Sequence, residues 1–239
     1  MIMEYSLTVL VPFYNEELFL EKSIKRLLDS KLNLQKIILI NDGSTDSSLN
    51  IASEIASKFS NVEVIDNVLN QGKGTALSRA FSQVTTSHIA IHDADLEYNP
   101  EDYKEMIAKS KECKSSLILG SRFIGKKERN NIYLRTYLAN KFLSFLFSLV
   151  YSVKVTDVAS CYKLFPSHIY KDYKLIEKGF SVEIEILSKF VMSKGSVIEV
   201  PISYEGRSYY EGKKIKFLDG FKYIYSILFF KFYKDKLNH

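Results

Sequence analysis

Five short apolar runs, separated by helix-like stretches, fill the chain between Leu7 and Phe123: LTVLVPF, KIILIND, VEVID, HIAIHDAD and SSLILGSRF. Runs of this length, rich in Val, Ile and Leu, are what strands buried on both faces look like. Between them Leu20, Ile24, Leu27 and Leu28 fall on one helical stripe, and the next helix carries Ile51, Ala52, Ile55 and Phe59. Strands alternating with helices predict an α/β fold, a mainly parallel central sheet covered by helices. After Phe123 the rhythm breaks. The pattern there predicts a long aromatic-rich helix over about 131–151, a strand-like TDVASCYKLF, a helix SVEIEILSKFVMSK, a strand VIEVPISY and a basic amphipathic helix at the end.

Length and composition exclude several classes. The 239 residues are enough for one α/β domain with a good core, and neither linker nor repeat divides them. Cys113 and Cys161 are too isolated for a disulfide framework or a zinc site, which points to a reducing, cytoplasmic setting. The first strand begins almost at Met1, so no leader peptide is expected. The most apolar runs, FLSFLFSLV and IYSILFF, fall short of the roughly 20 residues of a membrane helix. The formal charge is +5, with basic runs KKER, EGKKIK and KFYKDK gathered toward the C-terminus. Such runs usually form solvated faces; interleaved with Phe, Tyr and Leu, they also suit an anionic membrane surface. No nucleic-acid recognition motif is present.

The stretch IAIHDADLEYNP raises a physical question. Asn99, Pro100, Glu101 and Asp102 read as a helix start, with a cap, a first-position proline and first-turn acids. Asp93, Asp95 and Glu97 come too early for that. On a strand they would share one face and repel one another unless a cation or water separates them. In open parallel sheets, ligands bind beyond the carboxyl ends of the strands. Here those ends carry PFYNE, NDGSTD, NQGKGTA, DADLE and GSRF, a coincidence that favours a hard divalent cation held by oxygen. His88 and His92 read as structural, because such cations prefer oxygen ligands.

NQGKGTA is neither a phosphate loop nor a dinucleotide fingerprint. Asn67 stands where the first needs glycine, Gly74 where it needs Ser or Thr, and Leu77 where the second needs its third glycine. It reads either as a glycine-rich helix start, with Lys73 approaching an anion, or as a tight turn. Acids that hold a cation, with scattered basic residues, suit a diphosphate substrate that the cation neutralises.

PFYNE, NDGSTD, NQGKG, DADLEYNP, GSRF and VPISYEGRSYYEGKKIKFLDG, in this order, resemble the family 2 glycosyltransferases of GT-A fold, and within them the dolichol-phosphate mannosyltransferase-like branch. The resemblance covers nearly the whole chain. It implies one GT-A domain over 1–239, with a nucleotide-binding half (1–123) and an acceptor-binding half (124–239). It implies metal-dependent, inverting transfer from a GDP- or UDP-sugar. Pro12, Tyr14, Glu16 and Asp42 match positions that hold base and ribose, with Lys73 and Asp93 also on the nucleotide. Asp93, Asp95 and Glu97 match the residues that hold Mg2+ or Mn2+ and the diphosphate, Glu97 standing where many relatives have Gln. Arg122, Arg135, Arg207 and Lys213 match phosphate-gripping positions, and Lys214 adds a cation beside them. Asp95, Arg122 and Arg207 form the catalytic set the resemblance implies. Asp157 matches on the acceptor side, while Cys161 and Lys163 stand where the family usually has Gly and Arg.

Acceptor chemistry follows from charge. Transfer onto a hydroxyl needs a general base; transfer onto an ionised phosphate needs cations that hold two anions together. The chain offers the cations and no unmistakable second acid pair. Asp157 and Glu185 stay open as bases, and Glu183 and Glu185 alternate with Val182, Ile184 and Ile186 as on an amphipathic face. The expected acceptor is therefore a polyprenyl phosphate. LANKFLSFLFSLVY and DGFKYIYSILFFKFYKDK read either as ordinary core helices or as surfaces suited to such a lipid, with attachment to the cytoplasmic membrane face directly or through a membrane-protein partner. Gly206 and Gly212 would let the Arg207 loop close over the donor. A soluble glycan or polysaccharide acceptor remains the alternative. A sugar nucleotidyltransferase should open with a glycine-rich, arginine-bearing loop, which PFYNE is not, and a binding module has no need of the acids.

Overall fold

Strand β1 (Leu7–Phe13) is buried at every position, as expected of a strand in the middle of a sheet. The computed structural model, which describes residues 5–170, 175–207 and 219–233, places it there. β2 (Lys36–Asp42) pairs with β1 in parallel on one side and β4 (His88–Ile91) on the other, and β3 (Val62–Asn67) lies beyond β2. β7 (Lys163–Pro166), β5 (Leu117–Ser121) and β8 (Val197–Pro201) complete the order β3-β2-β1-β4-β7-β5-β8. Only β7 runs antiparallel to its neighbours. The mainly parallel α/β sheet expected from the sequence is what is found.

The second half departs from expectation in detail. Of the strand-like TDVASCYKLF, only the last part pairs. Thr156 and Asp157 lie before it in a loop, where the Thr156 N–H donates to Glu199 Oε1 at 2.8 Å. VIEVPISY splits after Pro201. Its end forms β9 (Tyr204–Glu205), which pairs with β6 (Arg129–Asn130) in a separate ribbon.

Helices α1 (Leu20–Asp29), α2 (Ser48–Lys58), α3 (Lys73–Phe81), α4 (Tyr103–Glu112) and α6 (Val182–Met192) flank the sheet. In α1, Leu20, Ile24 and Leu27 are fully buried, each stabilising the fold by about 2 kcal/mol. Asn99 caps as anticipated, accepting from the Glu101 N–H at 3.2 Å, and Pro100 opens a short 3-10 turn before α4. Asp102 is not a solvated first-turn acid. It is buried and accepts from the Ser203 N–H at 2.7 Å and from Lys127 at 3.1 Å. The long helix α5 (Leu134–Tyr151) packs on α6 and on α7 (Asp219–Phe232).

This topology decides where a ligand can bind. From β1 the chain steps outward through β2 to β3, then returns to place β4 on the other side of β1. The connections after β1 and β4 therefore leave in opposite directions and open a crevice at their carboxyl ends. PFYNE and DADLE flank that crevice.

Candidate active site

The loops after β1 and β2 are stitched to each other. The Asn15 N–H donates to Ser44 Oγ at 3.0 Å, the Thr45 N–H to Asn15 Oδ1 at 2.8 Å and the Glu16 N–H to Ser48 Oγ at 2.8 Å. Asn15 adopts φ +50°, a left-handed conformation that asparagine tolerates. Asp42 reaches further along the edge, accepting from the Gln71 N–H at 3.0 Å and the Gly72 N–H at 2.7 Å. Burial raises its carboxyl above the usual range, and these two donors partly offset the rise.

The glycines of NQGKG serve close packing. A Cβ on Gly74 would lie 1.8 Å from the Glu177 carbonyl oxygen, and one on Gly72, at φ +94°, would lie 2.3 Å from that of Lys178. The Gly74 N–H already donates to Lys178 O at 2.7 Å, so this donor at the start of α3 is turned to the chain itself. Lys73 likewise faces the protein's own acids, with Nζ 2.6 Å from Asp93 and 2.7 Å from Glu183. Burial alone would lower its pKa, but Asp93 and Glu183 outweigh it and hold the ammonium well above its usual range.

The three acids do not share a strand face. Pairing in β4 ends at Ile91, and a turn with Leu96 at φ +66° separates the side chains. Asp93 turns to Lys73, which holds its carboxyl below the usual value against the opposing effect of burial. Asp95 lies 3.1 Å from Arg207 Nη2, and Glu97 accepts from the Tyr204 hydroxyl at 2.7 Å and the Arg207 N–H at 2.9 Å. Burial and the like charges of Glu97 and Asp93 push Asp95 up to about 8. Among the described residues no three His, Cys, Asp or Glu side chains converge as a ready-made cation cage. The Arg207 guanidinium lies beside Asp95 and Glu97 instead, and the Lys73 ammonium beside Asp93.

Arg122, leaving β5, is fixed from behind. Asp157 is fully buried and accepts from Arg122 Nε at 2.7 Å, from Nη2 at 2.8 Å and from the Arg122 N–H at 3.0 Å. Asp157, expected on the acceptor side, is thus a support for Arg122 and is not among the residues lining the cavity. Tyr204 lies under the same guanidinium, 4.9 Å from its carbon to the ring centre.

A cavity of about 580 Å3 unites the rest. Pro12, Tyr14, Glu16, Asp42, Lys73, Asp93, Asp95, Glu97, Arg122, Arg135 and Arg207 all line it, so seven separate segments of sequence meet around one space. Lys213, Lys214 and Gly212 lie outside the described residues. Gly206 is tied down, its N–H donating to Asn130 O at 3.1 Å. Phe142 and Leu143 of α5 and Phe221 and Ile224 of α7 line the same cavity.

Several lining residues were not picked out as site residues from sequence. Glu183 lines the cavity, whereas Glu185, the alternative considered, accepts from the Ile176 and Glu177 N–H groups and pairs with Lys189 at 2.8 Å. Asn140 also faces the cavity, and its signal was available: a lone amide in an apolar helix. Cys161 lines it too, with burial raising its thiol so that it stays protonated. Lys163 does not reach the open site; it is fully buried with Nζ 2.5 Å from Glu183. His92 is held between Ser23 Oγ at 3.2 Å and the Tyr162 hydroxyl at 2.9 Å.

Residues 8–174 match the family model described as Glycosyl transferase family 2, more than half of the chain. The chain belongs to glycosyltransferase family 2. The chain is 28% identical over 228 residues to a dolichol-phosphate mannosyltransferase of Pyrococcus furiosus, covering 92% of this chain and 63% of that protein's length. It is also 28% identical to an uncharacterized protein of Methanocaldococcus jannaschii, over 94% of this chain and 92% of the other. Among solved structures it shares its GT-A fold with glucosyl-3-phosphoglycerate synthase from Mycobacterium tuberculosis bound to UDP, at TM-score 0.73 and 17% identity, covering 97% and 82% of the two chains. The same synthase has been solved with Mn2+, UDP-glucose and glycerol 3-phosphate, and that structure aligns at TM-score 0.70 with 18% identity over 97% of this chain and 82% of the other.

Proposed function

We propose that this glycosyltransferase moves a sugar, with inversion, from a GDP- or UDP-sugar to the phosphate of a polyprenyl lipid. One observation carries the reading: a single cavity is lined both by carboxylates and guanidinium groups and by apolar residues of α5 and α7. A donor diphosphate suits the first set of residues and an isoprenoid tail the second.

The charges support a phosphate acceptor. Arg122, Arg135 and Arg207 line the space, and Asp157 and Glu185 are both engaged in internal hydrogen bonds, which argues against either as a free base. On this reading Arg122, fixed by Asp157, and Arg207 hold phosphate oxygens close together, while Pro12, Tyr14 and Asp42 shape the nucleoside end. Asp95 and Glu97, expected to hold Mg2+ or Mn2+ together with Asp93, suit such a cation alongside Glu16, because the donors are all oxygen and a cationic group already lies among them, whereas Asp93 is paired with Lys73. Such a metal would neutralise the diphosphate and make it a better leaving group. Residues 1–123 then form the donor half and 124–239 the acceptor half, with Glu183 and Arg207 reaching across.

The outer surfaces of the two helices support a lipid. Leu134, Leu138, Phe142, Phe145 and Leu149 form one exposed stripe on α5, and Phe221, Tyr225, Leu228 and Phe232 form another on α7. Phe142 and Phe221 also line the cavity, so each stripe contributes a residue to it. α5 carries no acidic residue. Exposed apolar patches of this kind mark interaction sites, and here they suit peripheral attachment to an anionic membrane surface or to a membrane protein. Among the described residues no helix is long and apolar enough to cross a membrane.

A soluble acceptor is the second reading, favoured by the fold likeness to a synthase solved with glycerol 3-phosphate. The two readings are separated by a donor panel. Labelled GDP- and UDP-sugars are incubated with Mn2+, the enzyme and a short polyprenyl phosphate. Label entering the organic phase with at least one donor is expected. No lipid product with any donor, together with robust transfer to a soluble acceptor, would establish the second reading.

A further inference from the structure

Arg207 occupies the place among the acids that a cation would take. Its Nη1 is 3.2 Å from Glu16, its Nη2 is 3.1 Å from Asp95 and its Nε is 3.9 Å from Glu97. The Nε is buried with no hydrogen-bond partner. The guanidinium carbon lies 5.3 Å from the centre of the Phe19 ring, and the side chain is 10% exposed. The backbone is pinned as firmly: the Arg207 N–H donates to Glu97 and the Glu205 N–H to Glu97 O at 2.8 Å. A residue from the far end of the sequence is thus inserted among carboxylates from the first and fourth strand ends.

We propose that Arg207 is a resident counter-ion that a divalent metal must displace. The inference rests on the reading that these acids hold the metal. Three carboxylates face one guanidinium, so the group keeps a negative surplus that attracts a dication. A dication held by all three acids would take the position the guanidinium now fills, where the like charges of the two would repel at close range. The two cations are therefore alternatives. Without ligand, Arg207 keeps the acids from repelling one another and competes with free metal. When metal arrives with a diphosphate, the guanidinium is released beside new phosphate oxygens, for which its planar donors are suited. The device ties metal retention to donor binding.

The test measures Mn2+ binding to the full chain without nucleotide, from the electron paramagnetic resonance signal of free Mn2+. The proteins are wild type, Arg207→Gln, Arg207→Lys and Asp95→Asn. Arg207→Gln should bind Mn2+ about tenfold more tightly than wild type, within the usual range of coupling between sites. Arg207→Lys should stay close to wild type, since it keeps the charge. A purely structural role for Arg207 would not tighten metal binding. Mn2+ binding that depends on Asp95 yet is unchanged or weaker in Arg207→Gln would overturn the counter-ion role and leave the metal reading standing. Binding unaffected by Asp95→Asn, or absent from every variant, would overturn both. A second readout uses the lack of tryptophan in the chain. Phe19→Trp would place a single tryptophan, excitable apart from the tyrosines, beside the guanidinium, and its emission should shift as Mn2+ is added. An unchanged emission under saturating Mn2+ would also overturn the displacement.

Discussion

Asp157 grips Arg122 with both carboxylate oxygens, at 2.7 and 2.8 Å, and accepts its backbone N–H as well. The acid is fully buried and the arginine lines the cavity, so the pair converts a packed interior into a fixed positive charge at the site. Removing one member of a buried pair leaves the other uncompensated. Asp157→Ala should destabilise the fold by about 3–5 kcal/mol in urea denaturation. Arg122→Met, which also removes a charge but retains bulk, should cost turnover more than Asp157→Asn does if Arg122 touches the substrate. Steady-state transfer assays on both variants check this.

Gly74 tests how the glycine-rich segment works. Its added Cβ would meet the Glu177 carbonyl at 1.8 Å, so Gly74→Ala should cost about 3 kcal/mol, the upper range for overpacking. Gly179, in the neighbouring segment, has nothing within 4 Å of an added Cβ, and Gly179→Ala should change stability by less than about 0.5 kcal/mol. Equal effects in chemical denaturation would show that the segment moves apart freely.

His92 gives the fold a pH dependence. Burial holds its imidazole down at about 4, below its ordinary 6.5. Above pH 6.5 both the folded and unfolded forms are neutral. As pH falls from there toward 4 the unfolded chain gains a proton that the folded chain refuses, so stability is lost. Between pH 7.5 and 5 the loss from this group should be about 2 kcal/mol. Urea denaturation at the two pH values should show a loss smaller by that amount in His92→Gln.

Asp95→Asn puts a neutral amide in place of a carboxyl that burial and its acidic neighbours push up to about 8, so its thermal stability should equal or exceed that of wild type. Transfer should nevertheless fall about 100-fold or more, the loss expected when a group stabilising developing charge is removed. Thermal melts and transfer assays on the same preparation separate the two effects. A melt lowered in parallel with activity would make Asp95 a structural residue.

Much of this was legible because it is local. The strands announce themselves by unbroken apolar runs, and the polar residues that follow each run must lie at one edge of a parallel sheet. That reasoning alone brings Glu16, Asp42, Asp93 and Arg122 together. What sequence could not supply was the traffic between distant segments. Lys73 and the glycines of NQGKG read as anion-binding chemistry, but their partners are Glu183 and the 177–178 carbonyls, about a hundred positions away. β7 was hard to place for the same reason. Its four residues insert antiparallel between β4 and β5, and the apolar run to which they belong looked longer than its pairing.

The central claim is that the transferase recognises its acceptor by phosphate. The most direct measurement compares transfer from one active labelled donor, at saturating Mn2+, to a short polyprenyl phosphate and to the same polyprenol without phosphate. The account predicts product from the phosphate alone, with its formation sharply reduced in Arg122→Met. Equal transfer to both lipids would contradict it, because a site that accepts the bare hydroxyl must hold a general base in place of paired cations.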